Sequence, residues 1–248
     1  MKRYGWLLGC CLFLSIGMLW AADEPDLRML QQKAAQSRDM EGYVGVCKYL
    51  YQTEENPELL LLYADSIHQL ATKSKKPEQL VEYYIWASEG NFIKGDFQQG
   101  YALKRKAIAL AEKAGLKFAI SQSCCDMGYY CNVDARYDSA RYYFRKGLEA
   151  GEDLSEAGEA CRTMLTNYAS SFLFEGKTDS ALVYTIRASE RSAADKDTAM
   201  LIENLNQLGT IYRRKKNLEN CIANFEQALH LCELRGNHNA VAFIYGNI

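Results

Sequence analysis

The 248-residue sequence has only three prolines, Pro25, Pro57 and Pro77, so nothing from residue 78 onward breaks a helix interior. That absence fits an unbroken series of helices over more than two thirds of the chain. Histidine is equally scarce: His68, His230 and His238. His68 follows Asp65 and Ser66, but side chains at those spacings on one helix do not face one another as a triad. His230, between Leu229 and Leu231, reads as a surface residue. No nucleophile elbow, phosphate-cradling glycine loop, dinucleotide fingerprint or H-E-x-x-H is present. No catalytic residue, metal ligand or cofactor is therefore assigned within these residues; a catalytic output such as a histidine kinase would have to lie downstream.

An excess of base is also lacking. The chain carries 29 Lys and Arg against 31 Asp and Glu. It opens MKRYGWLLGCCLFLSIGMLWAADEPD: two bases, an apolar run from Trp6 to Trp20, then Ala21-Ala22 before the first acid. That order is a secretory leader, and residues 1–22 are read as a signal peptide; left uncleaved, the run would serve as an anchor. Leu7-Leu8-Gly9-Cys10 resembles a lipoprotein box, but it precedes the apolar run instead of following it. Without Lys2 and Arg3, 27 bases face 31 acids, a balance of −4 that gives no reason to expect nucleic acid as a partner. The location expected is exported, periplasmic or membrane-associated on the periplasmic side, with membrane contact only through the leader or a downstream segment.

Of nine cysteines, Cys10 and Cys11 fall in the leader, leaving seven. The odd number and the lack of any C-x-x-C spacing indicate neither a disulfide framework nor a zinc site. Cys124 and Cys131 fall at apolar-periodic positions, so burial is the expectation for them.

A period runs through the rest. LNQLGTIYRR places Leu205, Leu208, Gly209 and Tyr212 at offsets 0, 3, 4 and 7, followed by Cys221, Phe225 and Ala228. The same series recurs as Leu165, Tyr168, Ala169, Phe172, then Ala181, Thr185, Ala188, and again as Cys124, Met127, Gly128, Cys131, then Ala140, Phe144, Gly147. A weaker copy has Tyr84, Ala87, Ser88, Asn91, then Gly100, Lys104, Ala107. The small residue opening each second half stands at 100, 140, 181 and 221. Asp138, Asp179 and Glu219 share one register where an acid suits the start of a helix. Gly115 and Gly236 read as helix stops.

These residues resemble the tetratricopeptide repeat family, although the family's usual unit is about 34 residues. The resemblance implies an all-α fold of antiparallel helix hairpins stacked in a right-handed superhelix. Repeats are assigned to about 78–117, 118–158, 159–199 and 200–239, with a partial copy at 240–248. Residues 23–77 form irregular helices at Leu27–Gln36, Gly42–Thr53 and Pro57–Thr72 that cap the stack, the pattern fading back to Met40. Tyr245 and Ile248 suit the first half of a further copy, so the chain reads as a fragment of a longer protein.

In that family the first helix of each repeat lines a groove holding a peptide or a partner's helix. By register, the resemblance assigns Gln122, Cys125, Tyr129 and Asn132, then Thr163, Thr166 and Ser170, then Asn206, Thr210 and Arg213. These are mostly uncharged hydrogen-bonding side chains, suited to peptide amides, and Thr166→Ala is expected to leave stability nearly unchanged. The family's clamp for C-terminal carboxylates is not reproduced. Arg213-Arg214-Lys215-Lys216 reads either as dipole-complementing bases at a helix end or as a basic lip on the groove. The reading is a non-catalytic protein- or peptide-binding module, resembling the periplasmic sensor segment of Bacteroides-type signalling proteins. The alternatives are a free periplasmic or envelope scaffold, and the docking arm of an enzyme.

Overall fold

A computed structural model describes residues 27–54 and 56–247; the leader assigned at 1–22 lies outside the described residues. Twelve α-helices and one 3-10 turn, with no strand, make up the described residues. In chain order they are α1 (Leu27–Ser37), α2 (Met40–Thr53), α3 (Pro57–Ser74), α4 (Pro77–Lys94), α5 (Phe97–Ala114), α6 (Lys117–Val133) and α7 (Tyr137–Gly151). The turn Ser155–Ala157 leads into α8 (Gly158–Phe174), α9 (Thr178–Ala194), α10 (Thr198–Arg214), α11 (Leu218–Leu234) and α12 (His238–Tyr245). The fold is all-α, built of antiparallel helix hairpins. It divides into two compact units, one ending at Met127 and the other beginning at Gly128.

Local chemistry sets the helix starts. Asp96 Oδ1 accepts from the Gln99 amide at 3.1 Å, Asp197 Oδ1 from Met200 at 3.1 Å, and Asn237 Oδ1 from Ala240 at 3.0 Å. Each satisfies an amide that the first turn leaves without a partner. The turn between the two helices of a hairpin uses one left-handed residue: Gly95 (φ 89°), Ala135 (56°), Gly176 (82°) and Lys216 (57°). These stand one period apart, as the small residues do. Gly115 (68°) and Gly236 (65°) are also left-handed and end their helices.

Within the unit up to Met127, α1 packs on α2, α2 on α3, α3 on α4 and α4 on α5. Its core includes Cys47, Ala64, Ile67, Val81, Leu103 and Ala107. Leu60, Ala64 and Ile67 are buried at the fourth, eighth and eleventh places of α3, matching Gly100, Lys104 and Ala107 in α5. The α2–α3 hairpin thus continues the period, with large and small residues exchanged.

In the unit from Gly128, α7 packs on α8, α8 on α9, α9 on α10, α10 on α11 and α11 on α12. Ala140, Ala181 and Cys221 are each fourth in their helix and buried. Phe144 and Phe225 fill the hairpin interior; a Cβ at Gly128 would lie 2.3 Å from the Phe144 ring, and one at Gly209 2.7 Å from Phe225. Glycine is required there so that the ring can lie against backbone.

The aromatic position of the repeat reads Lys104, Phe144, Thr185, Phe225. Where Phe is missing, a polar node replaces it. In the first unit Lys104 is fully buried and paired to Glu89 of α4 and, at 2.9 Å, to Asp126 of α6. Burial pulls its ammonium pKa down, but Asp126 and Glu89 more than reverse this and leave it raised. In the second unit Thr185 donates to Gln207 Oε1 at 3.0 Å, and Gln207 Nε2 donates to Ser170 Oγ at 2.7 Å. Glu89, Lys104 and Asp126 are register equivalents of Ser170, Thr185 and Gln207, so one node is ionic and the other neutral.

Candidate functional site

The first helices of the repeats are α4, α6, α8 and α10, and α8 touches α10 directly. In the unit from Gly128, their outward polar residues fall into two groups. The larger group is taken up by the next repeat. Asn132 Nδ2 donates to the Asn167 carbonyl at 3.0 Å, and Thr166 donates to Asn204 Oδ1 at 2.9 Å. Asn204 in turn donates to Ser192 at 3.1 Å. Ser170 accepts from Gln207, Asn206 accepts from Asn247 Nδ2 at 2.9 Å, and Arg213 reaches the Asn247 carbonyl. Thr210 donates to the Asn206 carbonyl of its own helix at 3.1 Å.

This revises the sequence assignment. Cys125, Asn132 and Thr166 are 8, 3 and 2 % exposed, so they are not open to a ligand. For Asn132 and Thr166 the physical reason is that a short polar side chain facing the next first helix bonds across that seam. Thr166→Ala would remove half of a buried hydrogen bond, so the expectation of unchanged stability is withdrawn. Tyr129, Ser170, Asn206 and Thr210 are partly exposed, Arg213 is exposed, and in the other unit Gln122 is exposed.

The smaller group is a column that no repeat contact uses. Thr163 and Glu203 stand at equivalent places on α8 and α10, both half-buried, and neither has a hydrogen-bond or ion-pair partner among the described residues. The sequence assignment named Thr163 and its counterpart Gln122 but omitted Glu203, although the period puts it in the same column. Burial, and then the charge of Asp197, raise the Glu203 carboxyl to a pKa of about 7. The bases nearby are committed. Arg162 binds Asp197 at 2.9 Å and Asp195 at 3.0 Å, and Arg191 binds Asp195 at 2.8 Å.

The basic run is likewise engaged. Arg214 donates to the Leu173 carbonyl at 2.9 Å, Lys215 pairs with Asp179, and Lys216 is the left-handed turn residue. All seven cysteines from Cys47 to Cys232 are buried. Burial, then Glu82, pushes the Cys47 thiol to about 12, away from reactivity. His68 is exposed and stacks on Tyr83, ring centres 4.3 Å apart. Among the described residues no group of three His, Cys, Asp or Glu is placed to hold a metal, and no helix is long and apolar enough to cross a membrane.

No protein-family model matches the chain, and no curated protein matches it in sequence. Solved structures do. BtubC (BKLC) from P. vanneervenii superposes with a TM-score of 0.68 at 13 % identity, over 85 % of this chain and 88 % of its own. The apo form of RapI gives 0.65 at 10 % identity, over 97 % of this chain and 71 % of its own. Bacillus thuringiensis PlcR, solved with the peptide PapR7 and DNA, gives 0.56 at 13 % identity, over 90 % of this chain and 85 % of its own. At these identities the likeness establishes the fold, a tetratricopeptide-like helical repeat.

Proposed function

We propose that this chain is a non-catalytic peptide- or protein-binding module whose ligand lies against the column Thr163–Glu203. The observation that carries the reading is that column: two polar side chains on adjacent first helices, left without partners while their neighbours are cross-linked. An unused polar edge on a stacked helical scaffold offers bonds to a peptide backbone without disturbing the scaffold. The peptide in the PlcR structure supports peptide capture as a use of this fold. On the sequence of residues 1–22 we further propose export, and a role as the sensor or interaction region of a longer membrane-linked signalling protein.

The test begins with peptides selected from a random phage-displayed dodecapeptide library on the full chain. Thr163→Arg should then abolish binding, whereas Val183→Arg, at a 63 % exposed position on α9, should not. Selected peptides that tolerate Thr163→Arg and are lost with Val183→Arg would move the site to the second helices and refute the reading.

A further inference from the structure

Glu203 is an anomaly in its own neighbourhood. The aspartates at this end of α8–α10 are paired: Asp197 holds Arg162, and Asp195 holds Arg162 and Arg191. Glu203 has none among the described residues, and its half-buried place on α10 removes much of the water that would otherwise solvate it. A carboxylate in that position is incomplete. Desolvating it without a counter-ion is unfavourable, and the cost disappears when a cation is brought to it. Arg162 cannot turn to it without releasing both aspartates, one of which, Asp197, also caps α10 through the Met200 amide at 3.1 Å.

We propose that Glu203 is the subsite for an alkylammonium group of the bound peptide, either its N-terminal amine or a lysine side chain. This rests on the peptide-binding reading and adds the chemical class of the ligand. Thr163, at the equivalent place one repeat back, would take an amide N–H of the same peptide. A guanidinium also pairs with both oxygens of a carboxylate, so arginine is left out of the test peptides to keep the two ammonium sources distinguishable. Binding should expel the proton that Glu203 carries when empty. Affinity therefore rises as pH climbs through about 7; above that it levels off for a lysine ammonium and falls again for an N-terminal amine, which loses its proton near pH 8. The charged group bearing on this titration is Asp197 at the start of α10, which is itself paired with Arg162 of α8, while Arg162 and Arg191 of α9 also hold Asp195.

The experiment uses the full chain and three nonapeptide pools without arginine. One is lysine-free with a free N-terminus, one lysine-free and N-acetylated, and one N-acetylated with a central lysine. Amide chemical shifts of α8 and α10 are followed by NMR at pH 6 and pH 8, in the parent and in Glu203→Gln. Glu203→Gln removes an unpaired charge, so it should fold at least as well as the parent. The expected result is that an ammonium-bearing pool binds at least tenfold more tightly than the acetylated lysine-free pool. Glu203→Gln should erase both that preference and the gain from pH 6 to pH 8. A preference confined to the free-amine pool assigns the subsite to the N-terminus, and one confined to the central-lysine pool assigns it to a side chain. If all three pools shift the same amides equally, peptide binding stands and the cation subsite is overturned. If no pool shifts α8 or α10, both readings fall.

Discussion

Lys104 is where the stack's stability can be tested most sharply. Its ammonium is fully buried between Glu89, itself 2 % exposed, and Asp126. Lys104→Met keeps most of the stem's packing and deletes only the charge. Glu89 and Asp126 then lose the ammonium they share. Breaking a buried pair from one side costs about 3–5 kcal/mol, much of it the penalty on the charge left behind. For a chain of this size about 1 kcal/mol corresponds to roughly 2–4 °C, so the melting temperature should fall by about 10 °C. The triple variant Lys104→Met, Glu89→Gln, Asp126→Asn neutralises both carboxylates and should recover much of that loss, since the penalty on the uncompensated buried charge is the larger part of it. Circular dichroism melts of the three proteins suffice. If the single variant melts within about 2 °C of the parent, the node is not buried as described. If the triple falls as far as the single, volume and not charge sets the cost.

Lys216→Gly should raise stability by up to about 1 kcal/mol in urea titrations, because a side chain at φ 57° is strained where glycine is not; a loss would mean that the Lys216 side chain contributes more than its backbone costs. Thr166→Ala should cost about 1–2 kcal/mol by stranding Asn204, whereas Thr163→Ala should change stability by less than about 0.5 kcal/mol, and equal effects would collapse the distinction between bonded and free polar residues. The raised Glu203 carboxyl has a defined pH sign. Its folded pKa of about 7 exceeds the ordinary 4.5, so the native state holds the proton more tightly, and stability falls as pH rises from about 4.5 through 7. After allowance for partial exposure the loss is about 1–2 kcal/mol. Glu203→Gln should flatten that limb of the pH–stability curve, and an unchanged limb would assign it to other groups.

The hairpin pattern was readable because burial repeats. Small residues at 100, 140, 181 and 221 must let two helices approach in every copy, so each copy reports on the others. Polar residues carry no such redundancy. Asn132, Thr166 and Asn206 look alike in sequence to Thr163, yet they are bonded to groups 35, 38 and 41 residues away and Thr163 is not. Whether a threonine on a first helix faces a seam or solvent depends on the rotation of the next helix, which a single repeat does not encode. The left-handed turns were missed for a related reason. Gly95 and Gly176 signal them, but Ala135 and Lys216 adopt the same conformation without glycine because the two helices they join dictate it. Glu203 needed no structure: applying the period to Gln122 and Thr163 finds it.

The residue at the aromatic position also constrains its partner across the hairpin. Phe144 and Phe225 lie against Gly128 and Gly209, whereas Lys104 and Thr185 face the register of Ser88 and Ala169. The pairing predicts an interaction between substitutions. Thr185→Phe alone brings a ring towards the Cβ of Ala169, fully buried on α8, and removes the donor to Gln207 Oε1. Overpacking of this kind costs about 1–3 kcal/mol, and the lost bond about 1 kcal/mol more. Ala169→Gly alone should also destabilise, by about 1 kcal/mol, because glycine weakens a helix interior. Combined, the glycine makes the space that the ring needs, as in the neighbouring hairpins, so the double variant should be more stable than Thr185→Phe alone. A mutation that harms the parent then helps the variant. Additive losses in a double-mutant cycle would mean that Gly128 and Gly209 are not there to admit the ring, and that Thr185 was placed by something other than its bond to Gln207.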